Sequence, residues 1–199
     1  MTLVKICGIT TLDDALQAIE AGADALGFNF YPGSPRYIAP QAARAIIDRL
    51  PPVLKAGVFV DEGAADIEAA ARIAGLDVAQ VHGSLDYPPG IRWWRAWPAT
   101  LERLRERMEE CGAEAVLIDT PAGQQRGGTG RTFDWSLACG LPGRVILAGG
   151  LGPDNVATAI RLVRSWGVDA CSRLEQRPGV KDHARVAEFI RAVRETDKE

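Results

Sequence analysis

Two reactive side chains stand where apolar, strand-like runs of this 199-residue chain end. Cys7 ends the run 3–7, and Asp119 ends the run 115–119. A carboxylic acid whose pKa is raised by burial can serve as a general acid near neutral pH. A thiolate can serve as a base or nucleophile where positive charge lowers the thiol pKa. Alone, each residue has an ordinary structural explanation, as a buried thiol or a turn cap, but together they indicate an acid–base pair.

A second group of residues has the chemistry of a phosphate site. Gly149 and Gly150 follow a strand-like run, and their missing side chains allow the backbone to approach an anion closely. Ser172 and Arg173 end the last such run and begin a predicted short helix, whose N–H groups suit a phosphate. A tight turn is the alternative explanation of the glycine pair.

A glycine-rich loop that includes Gly127 and Gly128 follows Asp119. Its length and polarity predict a mobile lid over the site, with a surface linker as the alternative. The loop is not a P-loop, because no Gly-Lys-Ser/Thr sequence ends it.

Three further residues are candidates for binding a substrate. Arg36 lies in a loop stiffened by prolines, and its guanidinium suits bidentate binding of a carboxylate. A solvated loop arginine is the alternative. Gln80 and His82 stand at the end of another strand-like run, where His82 either lines the pocket or forms a hydrogen bond at its rim.

These residues require elements that bring distant parts of the chain together. Strand-like and helical patterns alternate throughout, and a glycine followed two positions later by an acid marks four helix-to-strand junctions, at 22–25, 75–78, 112–115 and 167–170. Eight strands are counted if 91–97 is the fifth. The pattern predicts an α/β fold, a TIM (β/α)8 barrel in a single domain over residues 1–199, with an open doubly wound sheet as the alternative. In a barrel all the candidate residues lie at one mouth.

One predicted unit departs from this alternation. Only residues 83–90 separate the fourth and fifth strands, which is short for a parallel crossover, so the helix after strand 4 is predicted to be reduced or missing. Trp93, Trp94 and Trp97 follow directly. We hypothesise that the missing helix exposes an apolar patch that binds a second copy of the chain.

The composition excludes several classes of function. Hydrophobic residues make up 47% of the chain and charged residues 25%, and the formal net charge is −3. This balance argues against a nucleic-acid or anionic-membrane partner, and no apolar run is long enough to span a bilayer. No signal peptide is recognised, because the first strand begins at once and contains Lys5. Four widely spaced cysteines predict reduced thiols in a cytoplasmic protein and no metal site.

Beyond these patterns, the sequence resembles the phosphoribosylanthranilate isomerase family over nearly its whole length. The motifs that carry the resemblance are at 5–10, 27–28, 34–38, 57–60, 80–83, 119–120, 127–135, 147–151 and 178–182. The resemblance implies a cofactor-free Amadori rearrangement, the aldose–ketose isomerisation of N-(5-phosphoribosyl)anthranilate in tryptophan biosynthesis. A small phosphorylated substrate is the implied partner, and the protein is expected to be a monomer or a homodimer.

The same resemblance implies a role for each candidate residue. Asp119 is the implied general acid and Cys7 the implied general base, while Arg36 holds the anthranilate carboxylate. Gln80 and His82, chosen from their strand-end position, are the further candidates for the substrate site. The resemblance implies that the ends of strands seven and eight and the glycine-rich loop hold the phosphate, and the candidate residues there are Gly127, Gly128, Gly149, Gly150, Ser172 and Arg173.

One departure from the family pattern bears on the phosphate. Residues 171–175 read Cys-Ser-Arg-Leu-Glu where the family reads Ser-Ser-Gly-Val-Glu. Arg173 either blocks the backbone approach that glycine allows or adds a positive contact, so we predict weakened or altered phosphate binding with retained chemistry.

Two other functions remain open at this stage. A related aldose–ketose isomerase of histidine biosynthesis is expected to use paired strand-end aspartates, whereas this chain has Cys7 on its first strand. A catalytically silent barrel that serves as a binding partner is less consistent with the presence of both Cys7 and Asp119.

Overall fold

Eight parallel strands close into a barrel in the computed structural model, which describes residues 1–100, 102–121 and 132–199. Each strand pairs with the next along the chain, and the eighth pairs with the first. The strands are β1 Leu3–Cys7, β2 Ala25–Asn29, β3 Leu54–Val60, β4 Val78–His82, β5 Trp93–Pro98, β6 Ala115–Asp119, β7 Val145–Leu147 and β8 Gly167–Ala170. The predicted TIM barrel is confirmed, and the open sheet is excluded.

Helices surround the barrel, and the first and last of them begin at residues whose side chains accept from free backbone N–H groups. They are α1 Leu12–Glu20, α2 Pro40–Ile47, α3 Ala64–Ala74, α4 Leu104–Glu110, α5 Val156–Val163 and α6 His183–Thr196. Thr11 caps α1 by accepting a 3.2 Å hydrogen bond from the Asp14 N–H, and Asp182 caps α6 in the same way. Two short 3₁₀ helices, Trp135–Ala138 and Ser172–Leu174, and a small hairpin of β9 Glu175–Arg177 and β10 Val180–Lys181 complete the described elements.

No helix forms between β4 and β5, as the short segment predicts. Carboxylates from the preceding loop and helix satisfy backbone groups of this segment instead. Asp61 accepts from the Ser84 N–H at 2.8 Å, and Glu68 accepts from the Gly90 N–H at 2.6 Å. A compact loop therefore takes the place of the helix without leaving these N–H groups unsatisfied.

The tryptophans beside this loop are buried or half-buried. Trp94 is 0% exposed and fills the barrel interior, and Trp93 is 9% exposed. Trp97 is half-buried and receives the guanidinium of Arg95 5.6 Å from its ring centre. Alternation along β5 directs Trp94 into the barrel interior and Trp93 into the apolar layer outside the strands. The hypothesis that an apolar patch at the missing helix binds a second copy of the chain stays a prediction.

Small side chains and one large ring pack the centre of the barrel. The interior cluster consists of Ala56, Val78, Trp94, Ala96, Ala115, Leu117, Ile146 and Ala148. A larger apolar layer lies between the strands and the helices. The barrel interior is therefore filled by side chains and is not a pore.

A charged pair lies inside the barrel between β1 and β8. Lys5 is 0% exposed, and its Nζ lies 2.9 Å from Oδ1 of Asp169, the residue opposite it in the strand register. Attraction to Asp169 offsets the cost of burying the lysine charge and keeps the lysine pKa above its ordinary value.

We expect Lys5→Met to reduce the free energy of unfolding by about 3–5 kcal/mol, because Asp169 would remain buried without its partner. Lys55→Met is the matched control, since Lys55 pairs with Asp77 at 2.8 Å near the surface, and we expect it to cost at most about 1 kcal/mol. Urea denaturation measures both values. Equal losses in the two variants would contradict this role of the buried pair.

Candidate active site

The strand ends bring the predicted acid and base to the same mouth of the barrel. Cys7 is the last residue of β1, and Asp119 is the last residue of β6. Because all strands are parallel, both side chains belong to the carboxyl-terminal face. The two groups interact electrostatically, since negative charge on Cys7 contributes to the raised pKa of Asp119.

The Cys7 thiol is buried and surrounded by groups that favour its ionised form. Interaction with the Cys171 thiol is the largest influence and, with the charges of Lys5 and Lys181, holds the pKa of Cys7 well below its ordinary value in spite of burial. Gly27 on the neighbouring strand provides the space, because a Cβ there would lie 2.7 Å from the Cys7 Sγ. Cys7 is therefore suited to hold and accept a proton as a thiolate.

Asp119 has the opposite environment. Burial raises its pKa to about 6, although a 2.7 Å hydrogen bond from the Thr120 N–H favours the charged form. Gly149 packs directly against this carboxyl group, and a Cβ at position 149 would lie 2.8 Å from Asp119 Oδ1. The glycine also has φ +83°, a left-handed conformation that other residues rarely adopt. Gly149 therefore has a structural reason to be glycine besides any contact with an anion.

Arg36 is close to the site but is already paired. Its Nε and Nη2 donate to the carboxylate of Glu175 at 2.9 and 2.7 Å. Lys181 Nζ lies 3.0 Å from the same carboxylate, and its side chain is fully buried. Glu175 therefore joins the loop after β2 to the hairpin after β8.

Sequence reasoning missed this role of Glu175 and Lys181. Both residues occur within segments already noted, 171–175 and 178–182, but neither segment indicates which residue the lysine or the glutamate would meet. Only the closure of the barrel brings them beside Arg36.

Gln80 and His82 point into the mouth from β4. Their side-chain nitrogens Nε2 lie 2.9 Å apart and are hydrogen-bonded. Gln80 is buried, and its Oε1 has no hydrogen-bond partner among the residues that the structure describes. A buried amide oxygen in this position can accept a hydrogen bond from a ligand.

The ends of β7 and β8 meet at the predicted phosphate site. Ser172 begins the 3₁₀ helix Ser172–Leu174, as predicted for a short helix at this point. Arg173 donates from Nη1 to the Gly150 carbonyl at 3.1 Å, and its Nη2 lies 2.8 Å from the Asp154 carboxylate. The arginine thus links the two loops.

The predicted phosphate residues Gly127 and Gly128, with the proposed lid around them, lie outside the described residues. Within the described ranges, no group of three or more histidine, cysteine or acidic residues is arranged to hold a metal ion. None of the helices in those ranges has the length and apolarity needed to cross a membrane.

Comparison with known proteins agrees with this architecture. The family model for N-(5'-phosphoribosyl)anthranilate (PRA) isomerase matches residues 4–192. The chain belongs to this family. The isomerase of Solibacter usitatus is 48% identical over 195 residues, which cover 96% of this chain and 97% of that protein. Family membership therefore rests on a match along almost the entire length of both chains.

Solved structures of the family share the fold. The isomerase of Thermotoga maritima superposes with a TM-score of 0.88 at 41% identity, covering 98% of this chain and all of that one. An isomerase in complex with reduced 1-(o-carboxyphenylamino)-1-deoxyribulose 5-phosphate has a TM-score of 0.84 at 40% identity and the same coverage. A further structure, of monomers generated from the dimeric Thermotoga maritima protein, also has a TM-score of 0.84 at 40% identity and covers 98% of this chain and all of that one.

The contact between Gly149 and Asp119 can be tested without substrate through the pKa of Asp119. In Gly149→Ala the added methyl group displaces the carboxyl group or its Thr120 N–H donor. Because that hydrogen bond favours the charged form, its loss should raise the pKa of Asp119 above about 6. Carbon NMR of the labelled carboxyl groups measures this value during a pH titration.

Gly143→Ala is the control for backbone strain. Gly143 also has a left-handed φ of +71°, but a Cβ there would meet nothing within 4 Å. We expect both variants to lose about 1 kcal/mol of stability, while only Gly149→Ala changes the titration of Asp119. An unchanged Asp119 pKa in both would show that the contact does not hold the carboxyl group in place.

Proposed function

We propose that this chain isomerises N-(5'-phosphoribosyl)anthranilate to 1-(2-carboxyphenylamino)-1-deoxyribulose 5-phosphate, with Asp119 as general acid and Cys7 as general base. The observation that carries the proposal is the pair of opposite pKa shifts at one barrel mouth, an acid raised to about 6 and a thiol well below its ordinary value. Such a divergence assigns acid and base roles to two neighbouring groups. The family match supplies the substrate.

The reaction needs one proton donated and one removed. Protonated Asp119 gives its proton to the ribose ring oxygen, and the bond from that oxygen to C1' breaks to form a Schiff base. The Cys7 thiolate then takes the proton from C2', which gives an enolamine that tautomerises to the ketone. Atoms balance without an external reagent, as expected for an isomerisation, and the surroundings of each group shift its pKa towards the protonation state that its step requires.

The charge around Cys7 suits this sequence of steps. Lys5 and Lys181 stabilise the thiolate before it accepts the substrate proton. Both lysines are themselves buried and paired with carboxylates. The thiolate is thus stabilised by fixed charges of the protein rather than by solvent. These charges need to move little during the reaction.

Two other groups are proposed to orient the anthranilate part of the substrate. Arg36 Nη1 has no hydrogen bond to any described residue, unlike its Nε and Nη2, and we assign it to the anthranilate carboxylate. The unpartnered Oε1 of Gln80 is available to a donor on the substrate, while His82 holds the amide in place.

The four free cysteines support the proposed cytoplasmic location.

The phosphate is assigned to the loops after β7 and β8, with Gly149, Gly150 and Ser172, and to Gly127 and Gly128. Arg173 contributes indirectly in this proposal, because its guanidinium is already bound to the Gly150 carbonyl and Asp154. It therefore holds the loop and neutralises Asp154 rather than entering the phosphate pocket.

Fluorescence decay of freshly prepared phosphoribosylanthranilate tests the proposed chemistry. We expect Cys7→Ser and Asp119→Asn each to lose at least about a hundredfold in kcat, because a positioned acid or base contributes rate factors of that size. Cys139→Ser, which alters an exposed thiol, should behave like the wild type. Equal rates in all four proteins would contradict the mechanism, and no decay with any of them would favour the silent barrel.

The role of Arg173 is tested by restoring the family's glycine. Arg173→Gly leaves Asp154 as an unneutralised charge beside the phosphate loops, so we expect KM to rise about fivefold, equivalent to about 1 kcal/mol, with kcat retained. Arg173→Gly combined with Asp154→Asn should recover the wild-type KM. A KM that is unchanged or lower in the single variant would mean that the arginine does not support phosphate binding.

A further inference from the structure

A second thiol lies beside the proposed base and has no part in the proposed reaction. Strands β1 and β8 pair in parallel up to Ile6 and Ala170. Cys7, the last residue of β1, and Cys171, the residue after β8, each lie one position beyond that pair. Neighbouring strands are about 4.8 Å apart, and disulfides span Cα distances of about 4.4–6.8 Å. The backbone thus holds the two cysteines at a separation that a disulfide can bridge.

The side chains agree with this backbone placement. A Cβ on Gly8, the residue after Cys7, would lie 2.9 Å from the Cys171 Sγ, so the Cys171 sulfur packs against the chain at the end of β1. The two thiols also interact directly, and this interaction is the largest influence on both of their pKa values. Their sulfurs are therefore neighbours at the mouth.

The pair has the properties of a reactive dithiol. Contact between the two thiols lowers the pKa of Cys7, which favours the nucleophilic thiolate, and raises the pKa of Cys171, which favours its protonated form. Lys181 Nζ lies 3.8 Å from the Cys171 Sγ and can stabilise negative charge there. Both residues are at the carboxyl-terminal mouth of the barrel, where Cys171 is half-buried and Cys7 is 9% exposed.

We propose that Cys7 and Cys171 form an oxidisable dithiol that a hydroperoxide converts reversibly into a disulfide. The Cys7 thiolate attacks the terminal peroxide oxygen, the O–O bond breaks, and Cys7 becomes a sulfenic acid. The leaving hydroxide or alkoxide takes a proton from solvent and departs as water or an alcohol. The Cys171 sulfur then attacks the Cys7 sulfur, its proton leaves with the hydroxyl group as water, and the disulfide forms. The two thiols lose two electrons and the peroxide gains them.

This modification consumes the thiolate that serves as base. Its effect on turnover rests on the proposed function, whereas formation of the disulfide does not. Cys171 stands where the family pattern has serine, so the second thiol, and with it the disulfide, is a property of this chain's own residues. A dithiol reductant should return both cysteines and the activity.

Thiol counting and peptide mapping of the full chain after hydrogen peroxide treatment test the proposal. In Cys111→Ser/Cys139→Ser only Cys7 and Cys171 remain, and we expect both thiols to disappear together and a linked Cys7–Cys171 peptide to form. Dithiothreitol should restore both thiols. The wild type, mapped in the same way, serves if the double variant does not fold. Two thiols that persist, or a pairing of other cysteines, would overturn the proposal.

The variant Cys171→Ser distinguishes disulfide formation from oxidation of Cys7 alone. Without a resolving thiol a second equivalent of hydrogen peroxide oxidises the sulfenic acid to sulfinic acid, which dithiothreitol does not reduce, so we expect several-fold less recovered thiol than in the wild type. Equal recovery in the two proteins would contradict a resolving role for Cys171. If the disulfide forms and is reduced again while turnover is unaffected, the result contradicts the role of Cys7 as base and supports the proposed dithiol.

Discussion

The buried charge of Lys5 is the constraint on which the rest of the mouth depends. Lysine inside a narrow barrel requires a partner, and Asp169 on the adjacent strand supplies one at 2.9 Å. The same positive charge lowers the pKa of Cys7, two residues along β1, and favours the ionised form of Asp119. Burial outweighs it at Asp119, whose pKa is raised to about 6. One fixed charge thus helps to prepare a thiolate while the pKa of the neighbouring acid stays raised.

A second charged group closes the mouth on the other side. Glu175 binds both Arg36 and Lys181, and burial of the three side chains makes these contacts stronger than they would be in water. This group fixes the loop after β2 against the hairpin after β8. It also places Lys181 beside Cys171. The lysine that holds the hairpin through Glu175 is therefore the same lysine whose charge acts on the two thiols.

The comparison of prediction and structure shows where local patterns suffice. The alternation of strands and helices, the missing helix after β4 and the strand-end positions of Cys7 and Asp119 all follow from spacing within short segments. The burial of the tryptophans that follow this loop depends on which face of β5 each ring occupies, and Trp94 turns into the barrel. The two open possibilities for Arg173, obstruction or a new phosphate contact, depended on its rotamer. Asp154 and the Gly150 carbonyl decide that orientation.

The sequence by itself determined the barrel, the residues at its mouth and, through the family motifs, the reaction to be tested. These properties are encoded in periodicity, strand-end chemistry and residue types, which a single chain displays directly. Only the tertiary structure decided the pairing of Lys5 with Asp169, the capture of Arg36 by Glu175 and the proximity of Cys7 to Cys171. Each of these pairs joins residues more than 130 positions apart, and the closure of β8 against β1, with the hairpin that follows β8, is what brings them into contact.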